Sequence, residues 1–181
     1  MMSKYNPAQV REQLLHAVGK LLLAQGIAEL SLQKVAQEAG VSKGALFHHF
    51  ANKDALLSAF FANLLADFER GILRHLAPNP TYADFLYAYT KASFEDLTVS
   101  HDSVIWVMQF LSYQDYKLRW QDWLNRTMPA FETRNSSLNL LKCAVDGLWL
   151  NLAIGVVQVD EVRTIQAFIL QQIEQYRGIA P

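Results

Sequence analysis

The chain has 181 residues, of which 51% are apolar, and its formal net charge is −1 at neutral pH. This apolar content excludes a disordered chain, and the length allows one or two small domains with a buried core. The near-zero charge argues against a protein that is coated with nucleic acid along its whole length.

The charges and the single cysteine indicate in which cellular compartment the protein acts. Residues 1–76 hold eight Lys and Arg against six Asp and Glu, whereas residues 77–181 hold eight against eleven. Cys143 is the only cysteine, so no intramolecular disulfide can form, as in a reducing compartment. No secretory signal opens the chain, and the most apolar run, 143–157, is too short to span a bilayer. We therefore expect a cytoplasmic protein with a basic front end and no membrane partner.

The first predicted element is an amphipathic helix. Its apolar residues recur at spacings of three and four, at Val10, Leu14, Val18, Leu21 and Leu22. Pro7 fits the first turn of this helix, where its missing N–H is not needed, and Gly26 is expected to end it.

Two short helices are predicted within residues 31–50, which read SLQKVAQEAGVSKGALFHHF. Ser31 can cap a helix that begins at Leu32, and Ser42 can cap one that begins at Lys43. Gly40 supplies the left-handed conformation that a tight reversal between them requires. The small Ala36 and the apolar Val35, Val41 and Leu46 then pack between the two helices. This arrangement predicts a helix-turn-helix, a DNA-binding motif.

Lysine placement points to the same function. Lys34, Lys43 and Lys53 each fall in the first turn of a predicted helix, where the helix dipole disfavours a cation by roughly 0.3–1 kcal/mol. Three such placements suggest that something negative lies opposite, and DNA phosphate fits because helix N-termini also offer it unpaired N–H groups. The alternative is that these are ordinary solvated lysines.

The rest of the chain also reads as helix. A long helix is predicted from Lys53, capped by Asn52, to about Leu76, and further helices are predicted near 81–97, 101–113, 114–132, 134–157 and 160–177. No segment alternates with the period of two that a strand requires. We predict an all-α fold of about nine helices, with a three-helix DNA-binding domain at 1–54 and a second helical domain at 55–181.

The stretch from Val10 to Leu65 resembles the DNA-binding domain of the TetR family of bacterial repressors. The matching features are the amphipathic first helix, Gly26, Leu30-Ser31-Leu32, Val35-Ala36, Ala39-Gly40-Val41-Ser42-Lys43-Gly44, Leu46-Phe47-His48-His49-Phe50 and Asn52-Lys53-Asp54-Ala55-Leu56-Leu57. The segment Asp146-Gly147-Leu148-Trp149-Leu150 is also similar to one in the ligand-binding domains of some members, including betaine-type regulators.

The resemblance implies a set of DNA-contacting residues. The second helix of the motif would enter the major groove, and Lys53 would hold a phosphate from the start of the fourth helix. The complete expected set is Ser31, Gln33, Lys34, Ser42, Lys43, Gly44, Ala45, Phe47, His48 and Lys53. The partner would be double-stranded DNA with a palindromic operator.

The chain departs from the family pattern at two of these positions. Members often carry tyrosine where this chain has Phe47, and that hydroxyl commonly bonds a phosphate. Members also often carry threonine where this chain has Ala45, which can touch a thymine methyl but cannot donate a hydrogen bond. DNA binding is therefore expected to depend more on Lys43, His48 and Lys53.

No catalytic, metal or cofactor site is expected. Adjacent helix residues such as His48 and His49 point about 100° apart, which is unsuitable for joint metal ligation. His49 is instead expected to pack internally while His48 faces the DNA. Cys143 has apolar neighbours and is interpreted as a packed residue rather than a reactive thiol. We expect no cofactor and no enzymatic activity.

The aromatic residues allow two interpretations, a filled core or a ligand pocket. Twelve of the 21 Phe, Trp and Tyr lie between residues 82 and 131, and a filled helical core is the simpler interpretation of that composition. The resemblance favours a pocket for a small apolar or aromatic inducer that releases the DNA. The expected lining is Trp106, Gln109, Phe110, Tyr113 and Trp123.

The last two predicted helices have more apolar surface than one core face requires, which suggests a partner. In the family, these helices form a four-helix contact across a two-fold axis, so a homodimer is expected. The expected interface is Ala144, Leu148, Asn151, Gly155, Ile165, Phe168, Ile169 and Gln172. The alternative function is a helical small-molecule-binding or protein-interaction module that does not bind specific DNA.

Overall fold

The structure, a computed structural model, describes residues 6–128 and 135–177. Within those ranges the chain is helical and contains no strand, which confirms the all-α prediction. The nine helices found there are α1 (Pro7–Glu29), α2 (Leu32–Glu38), α3 (Lys43–His49), α4 (Lys53–Leu73), α5 (Tyr82–Ser93), α6 (Leu97–Leu111), α7 (Gln114–Thr127), α8 (Ser136–Ala153) and α9 (Val159–Glu174). The expected end of a helix at 132 lies outside the described residues.

The chain consists of two compact units, and the boundary between them falls between Leu64 and Leu65, inside α4. The boundary predicted from the sequence, 54/55, lies ten residues earlier, in the first turn of α4. The first half of α4 belongs to the first unit because Leu56, Leu57 and Phe61 are buried in that unit's core.

Helix α1 begins as predicted but does not end at Gly26. The side chain of Asn6 accepts a hydrogen bond from the Ala8 N–H at 3.1 Å, and Pro7 stands in the first turn. Gly26 adopts a left-handed extended conformation (φ 79°, ψ 171°), after which the chain makes one more turn to Glu29. Gly26 therefore breaks the regular helix as predicted, but a last turn, residues 27–29, follows it and is counted in α1.

The core of the first unit is built from one face of each helix. Leu14, Val18, Val35, Leu46 and Leu56 are completely buried. Each such side chain contributes roughly 1.5–3 kcal/mol relative to an exposed one. These residues belong to four different helices, so their burial holds α1 to α4 together in this unit.

The second unit is packed around α5, which contacts both α8 and α9. The Tyr82 hydroxyl donates to Oδ1 of Asn139 on α8 at 3.2 Å. From α9, the Gln166 side-chain amide donates to the Thr90 carbonyl at 3.2 Å. These bonds supplement a core that includes Phe85, Leu86, Val145 and Ile173.

An ion pair fastens the end of α9 to the start of α5. Arg177 Nε lies 2.9 Å from Asp84 Oδ1, and its guanidinium lies over the Tyr87 ring at 4.2 Å from the centroid. Burial would raise the pKa of Asp84, but hydrogen bonds from Arg177 and Thr81 outweigh it, so this pKa lies below its ordinary value.

None of the described helices is long and apolar enough to cross a membrane. Within the described ranges, no three His, Cys, Asp or Glu side chains come together as a metal site would require.

Candidate functional site

Helices α2 and α3 form the predicted helix-turn-helix, and their caps are those predicted. The Ser31 hydroxyl accepts from the Lys34 N–H at 3.3 Å, and the Ser42 hydroxyl accepts from the Ala45 N–H at 3.1 Å. Between the helices Gly40 has φ +66°, and the Val41 N–H donates to the Ala36 carbonyl at 3.0 Å. Local hydrogen bonds therefore fix where both helices begin and how the chain turns between them.

The packing between α2 and α3 leaves one side of α3 free. Val35 and Leu46 are completely buried and Ala36 is nearly so, whereas Val41 is only half-buried. Since Leu46 anchors α3 from one side, residues on the opposite side of this short helix face outward.

That outward side of α3 carries Lys43, Gly44, Phe47 and His48, all of them exposed. The Phe47 ring is 45% exposed, and the Lys43 Nζ lies 5.8 Å from its centroid. A Cβ added at Gly44 would have only the Ser42 hydroxyl near it, at 3.9 Å. The surface thus combines a cation, an aromatic face and an open stretch of backbone, which suits the major groove of DNA.

The two histidines of α3 differ in exposure as predicted. His48 is exposed and His49 is half-buried. Their rings meet edge to face with centroids 5.5 Å apart. Ala45 is half-buried at the edge of the exposed side, and Ser31, Gln33 and Ser42 are exposed near the starts of α2 and α3.

The ammonium groups of Lys34 and Lys53 donate hydrogen bonds to neutral oxygen atoms of the same unit. Lys34 Nζ donates to the Gln25 side-chain oxygen at 2.9 Å and to the Glu29 carbonyl at 3.0 Å. Lys53 Nζ donates to the Ile27 carbonyl at 3.0 Å and to the Ala28 carbonyl at 3.3 Å. The first-turn placement of these two lysines therefore does not by itself require DNA, because carbonyl oxygens at the end of α1 accept hydrogen bonds from both, and their contact with phosphate stays a prediction.

A second candidate site lies in the other unit, where aromatic rings from α4, α5 and α7 meet. Phe68 contacts Tyr89 with ring centroids 5.4 Å apart and contacts Trp123 at 5.6 Å. Trp120 extends the group at 5.4 Å from Trp123, and Phe85 extends it at 6.1 Å from Tyr89. We call these five residues the aromatic cluster.

Carboxylates border the aromatic cluster on two sides. The Trp123 indole N–H donates to Glu69 Oε2 at 3.2 Å. The Tyr89 hydroxyl donates to Asp146 Oδ1 at 2.7 Å, and Lys142 Nζ lies 2.6 Å from Asp146 Oδ2. The pKa of Tyr89 lies well above its ordinary value, mainly because the ring is buried and secondly because Asp146 is negatively charged. The same two causes raise the pKa of Tyr82 to about 12.

Only Trp123 of the expected pocket lining belongs to this cluster. Phe110 is buried against Tyr116, with centroids 4.7 Å apart, and Trp106 and Gln109 on α6 are half-buried. Tyr113 is 45% exposed at the start of α7, so it faces solvent rather than an interior site. Phe68 was missed because it lies on α4, outside the aromatic-rich stretch of the sequence.

Exposed large apolar side chains lie along α8 and α9 and directly after α8, and together we call them the apolar face of α8 and α9. They are Leu140, Leu150, Ile154, Val159, Ile165 and Phe168. Of the expected interface, Ala144 and Gly155 are also exposed, and Asn151 and Gln172 are half-buried. Leu148 and Ile169 must be removed from that set, because they are buried in the core of this unit.

Comparison with known proteins connects both units to bacterial regulators. Residues 14–60 match the family model described as "Bacterial regulatory proteins, tetR family". The chain is 26% identical to the HTH-type transcriptional regulator BetI 2 of Chromohalobacter salexigens, over 93% of this chain and 90% of that protein. It is 23% identical to BetI of Escherichia coli K12, over 84% of this chain and 87% of the relative.

Solved structures share the fold over nearly the whole chain. The multidrug binding protein EbrR complexed with malachite green has a TM-score of 0.70 and 20% identity, over 91% of this chain and 96% of its own. A putative transcriptional regulator from Pseudomonas aeruginosa PAO1 has a TM-score of 0.69 and 22% identity, over 95% of this chain and 93% of its own.

Proposed function

Because the chain belongs to the TetR family of bacterial regulatory proteins, we propose that it is a homodimeric repressor whose α3 helices read a palindromic operator. A small apolar or aromatic ligand, bound at the aromatic cluster, releases it from the DNA. The activity is regulatory and includes no catalytic step, and its place is the bacterial cytoplasm, where the operator lies.

The exposed side of α3 carries the proposal. Lys43, Gly44, Phe47 and His48 form a continuous outward surface on a helix that is fixed from behind by Leu46. Lysine can bond guanine O6 and N7 or a phosphate, and a phenyl ring can touch a thymine methyl. A capped, well-packed helix presents these groups at low entropic cost.

The outward face of α8 and α9 supports the homodimer. Ile154, directly after α8, is 63% exposed, and Phe168 on α9 is 60% exposed, whereas other sides of both helices fill the core. A second copy is the occupant that would bury them symmetrically. Two copies present two α3 helices, which is why the operator is proposed to be palindromic.

The aromatic cluster supports a ligand that is apolar or aromatic. The rings of Phe68, Tyr89, Trp120 and Trp123 pack against one another, so a ligand that parts them would meet ring surfaces, and the carboxylates of Glu69 and Asp146 border the group. The complex of EbrR with the dye malachite green is a precedent for an aromatic ligand on this fold. Release follows if the ligand binds more tightly to conformations that bind DNA weakly.

The first experiment is selection of genomic fragments with the purified protein, followed by footprinting at several salt concentrations. We expect a protected palindrome whose affinity falls as salt rises, since bound phosphates release counterions. The genes beside that site then nominate ligands, whose binding is measured by quenching of tryptophan fluorescence.

A matched pair of variants makes the test specific. Lys43→Ala removes a cation from the exposed side of α3, whereas Lys117→Ala removes an exposed cation from α7. Operator affinity should fall for the first variant and stay unchanged for the second. Equal effects, or no selected site with wild-type protein, would favour the alternative of a ligand-binding or interaction module that does not bind specific DNA.

A further inference from the structure

Helix α3, which is proposed to enter the major groove, carries few side chains that can bond base edges. Its seven residues read KGALFHH. Direct readout by hydrogen bonds uses Arg or Lys on guanine, Asn or Gln on adenine, and Asp or Glu on cytosine. Of these residue types α3 contains only lysine, at Lys43, and its two histidines are the other side chains there that form hydrogen bonds. The remaining residues of α3 can read a base only through apolar contact.

The apolar group that the major groove offers is the C5 methyl of thymine, which alanine and phenylalanine side chains can touch. Helix α3 has three apolar side chains, Ala45, Leu46 and Phe47. Leu46 is completely buried and Ala45 is half-buried, whereas the Phe47 ring is 45% exposed. Phe47 is therefore the apolar residue of α3 with the most surface left for a base.

The neighbours of Phe47 favour a close approach of DNA to its ring. Lys43 lies one turn earlier on the same side of the helix, with its Nζ 5.8 Å from the ring centroid. Gly44 lies three residues before Phe47, and a Cβ built there would meet only the Ser42 hydroxyl, at 3.9 Å. A cation that DNA attracts and an exposed ring thus share one side of α3, and Gly44 adds no side chain that would hold the groove away.

We propose that Phe47 is a specificity-determining residue whose ring touches the C5 methyl of a pyrimidine in each half of the operator. This methyl belongs to thymine or, in methylated DNA, to 5-methylcytosine, and both bases present it in the major groove. The inference rests on the proposed DNA-binding function and names the base chemistry that α3 reads. Its consequence is that one methyl group on the DNA changes the affinity, so methylation of a cytosine at this position strengthens binding.

The first test replaces each thymine of the selected operator with uracil, at one symmetric pair of positions at a time. Uracil pairs as thymine does and lacks only the methyl. With wild-type protein we expect one such pair to lower the affinity about 15-fold, or about 4-fold for each half-site, because burial of one such carbon contributes about 0.8 kcal/mol. Uracil at thymines away from the ring should change the affinity little.

Protein variants assign this effect to the ring. Phe47→Ala should bind the thymine and uracil operators equally, because the shortened side chain no longer reaches the methyl. Phe47→Tyr keeps every ring atom and should keep the preference for thymine. Leu118→Ala is the matched control, since Leu118 is 53% exposed on α7, and it should behave as wild type. Circular dichroism checks that each variant is folded, and low salt brings weak affinities into the measurable range.

Cytosine methylation separates the methyl from the rest of the thymine base. When the sensitive T·A pair is replaced by C·G, wild-type protein should bind the 5-methylcytosine operator about 15-fold more tightly than the unmethylated one, by the same arithmetic. Phe47→Ala should bind these two operators equally.

Two results would overturn the proposal while leaving the proposed function intact. One is a preference for thymine that persists in folded Phe47→Ala, which would assign the methyl to another residue. The other is an operator whose affinity is unchanged by every uracil and 5-methylcytosine substitution. If wild-type protein selects no operator at all, the proposed function fails and this inference falls with it.

Discussion

The hydroxyl of Tyr89 on α5 donates a 2.7 Å hydrogen bond to Oδ1 of Asp146 on α8. The tyrosine is buried, whereas the aspartate side chain is 42% exposed and also pairs with Lys142. Burial and the nearby carboxylate both raise the pKa of Tyr89, so its phenol stays protonated and remains a donor. The bond joins the aromatic cluster to a carboxylate that solvent and Lys142 also stabilise.

Removing the two sides of this bond should have unequal effects. Tyr89→Phe leaves Asp146 solvated and should lower the free energy of unfolding by about 1 kcal/mol, the net value of one hydrogen bond. Asp146→Ala leaves a buried hydroxyl without its acceptor and should cost about 1–3 kcal/mol. Urea unfolding measures both, with the exposed Tyr113→Phe as control. Equal costs would mean that Tyr89 finds another acceptor.

A substitution at Gly44 can separate an effect on DNA binding from an effect on folding stability. Within the protein, an added Cβ would meet only the Ser42 hydroxyl at 3.9 Å, so Gly44→Ala should keep or slightly raise thermal stability. If the major groove lies against this point of α3, the same methyl should weaken operator binding several-fold. The contrary result, a lower melting temperature with unchanged operator affinity, would remove Gly44 from the DNA-facing surface.

Phe47→Tyr adds a hydroxyl on the exposed side of α3, the group that the family resemblance implies at this position. Because the ring is 45% exposed, the new hydroxyl can reach a phosphate without disturbing the core. One additional hydrogen bond should raise operator affinity about 2- to 10-fold, and no charge is added, so the salt slope should not change. Phe47→Ala is the companion variant and should weaken binding. Weaker binding by the tyrosine variant would show that the ring contacts an apolar group.

A charge placed on the apolar face of α8 and α9 should separate the proposed dimer. Phe168→Glu would bury an uncompensated carboxylate in that interface, so sedimentation should report a monomer and operator affinity should collapse. Leu118→Glu is a matched control, since Leu118 is 53% exposed on α7 and Phe168 is 60% exposed on α9. A dimer that survives Phe168→Glu would place the interface elsewhere.

The Asp84–Arg177 pair should make stability depend on acid pH. The folded-state pKa of Asp84 lies below its ordinary value of 3.8, so the stabilisation is present above that value and is lost as pH falls through the folded-state pKa. Asp84→Asn should therefore cost about 1.5 kcal/mol near pH 6 and progressively less below pH 4. Asp122→Asn, from an exposed pair with Arg126, should change stability little at any pH. If the loss of unfolding free energy in Asp84→Asn does not change with pH, the protonation of Asp84 is not coupled to stability.

The helix-turn-helix was predictable because its signals are local. Ser31, Ser42 and Gly40 each act within four residues of themselves, and all three have the predicted roles. The continuation of α1 past Gly26 was not predictable, since the carbonyls of that last turn are bonded by lysines that follow them by five to 26 residues.

The helical class of the second unit was predictable from the sequence, but which residues fill its core was not. Helix α8 is apolar on several sides, and its spacing alone does not tell which side faces the core. Leu148 and Ile169 were therefore assigned to a partner, although they fill the interior. The aromatic cluster depends on Phe68 of α4 meeting rings that lie 21 and 55 residues later, which only tertiary packing determines.

Gly40 is needed for its left-handed backbone conformation rather than for its small size. Its φ is +66°, yet a Cβ built there has no atom within 4 Å, so lack of space does not exclude a side chain. The constraint lies in the backbone of an L-residue, which is strained at this angle. Gly40→Ala should therefore destabilise the turn by roughly 1–2 kcal/mol through backbone strain alone. The turn between α2 and α3 is thus a stereochemical choice, which glycine satisfies without strain because it has no side chain.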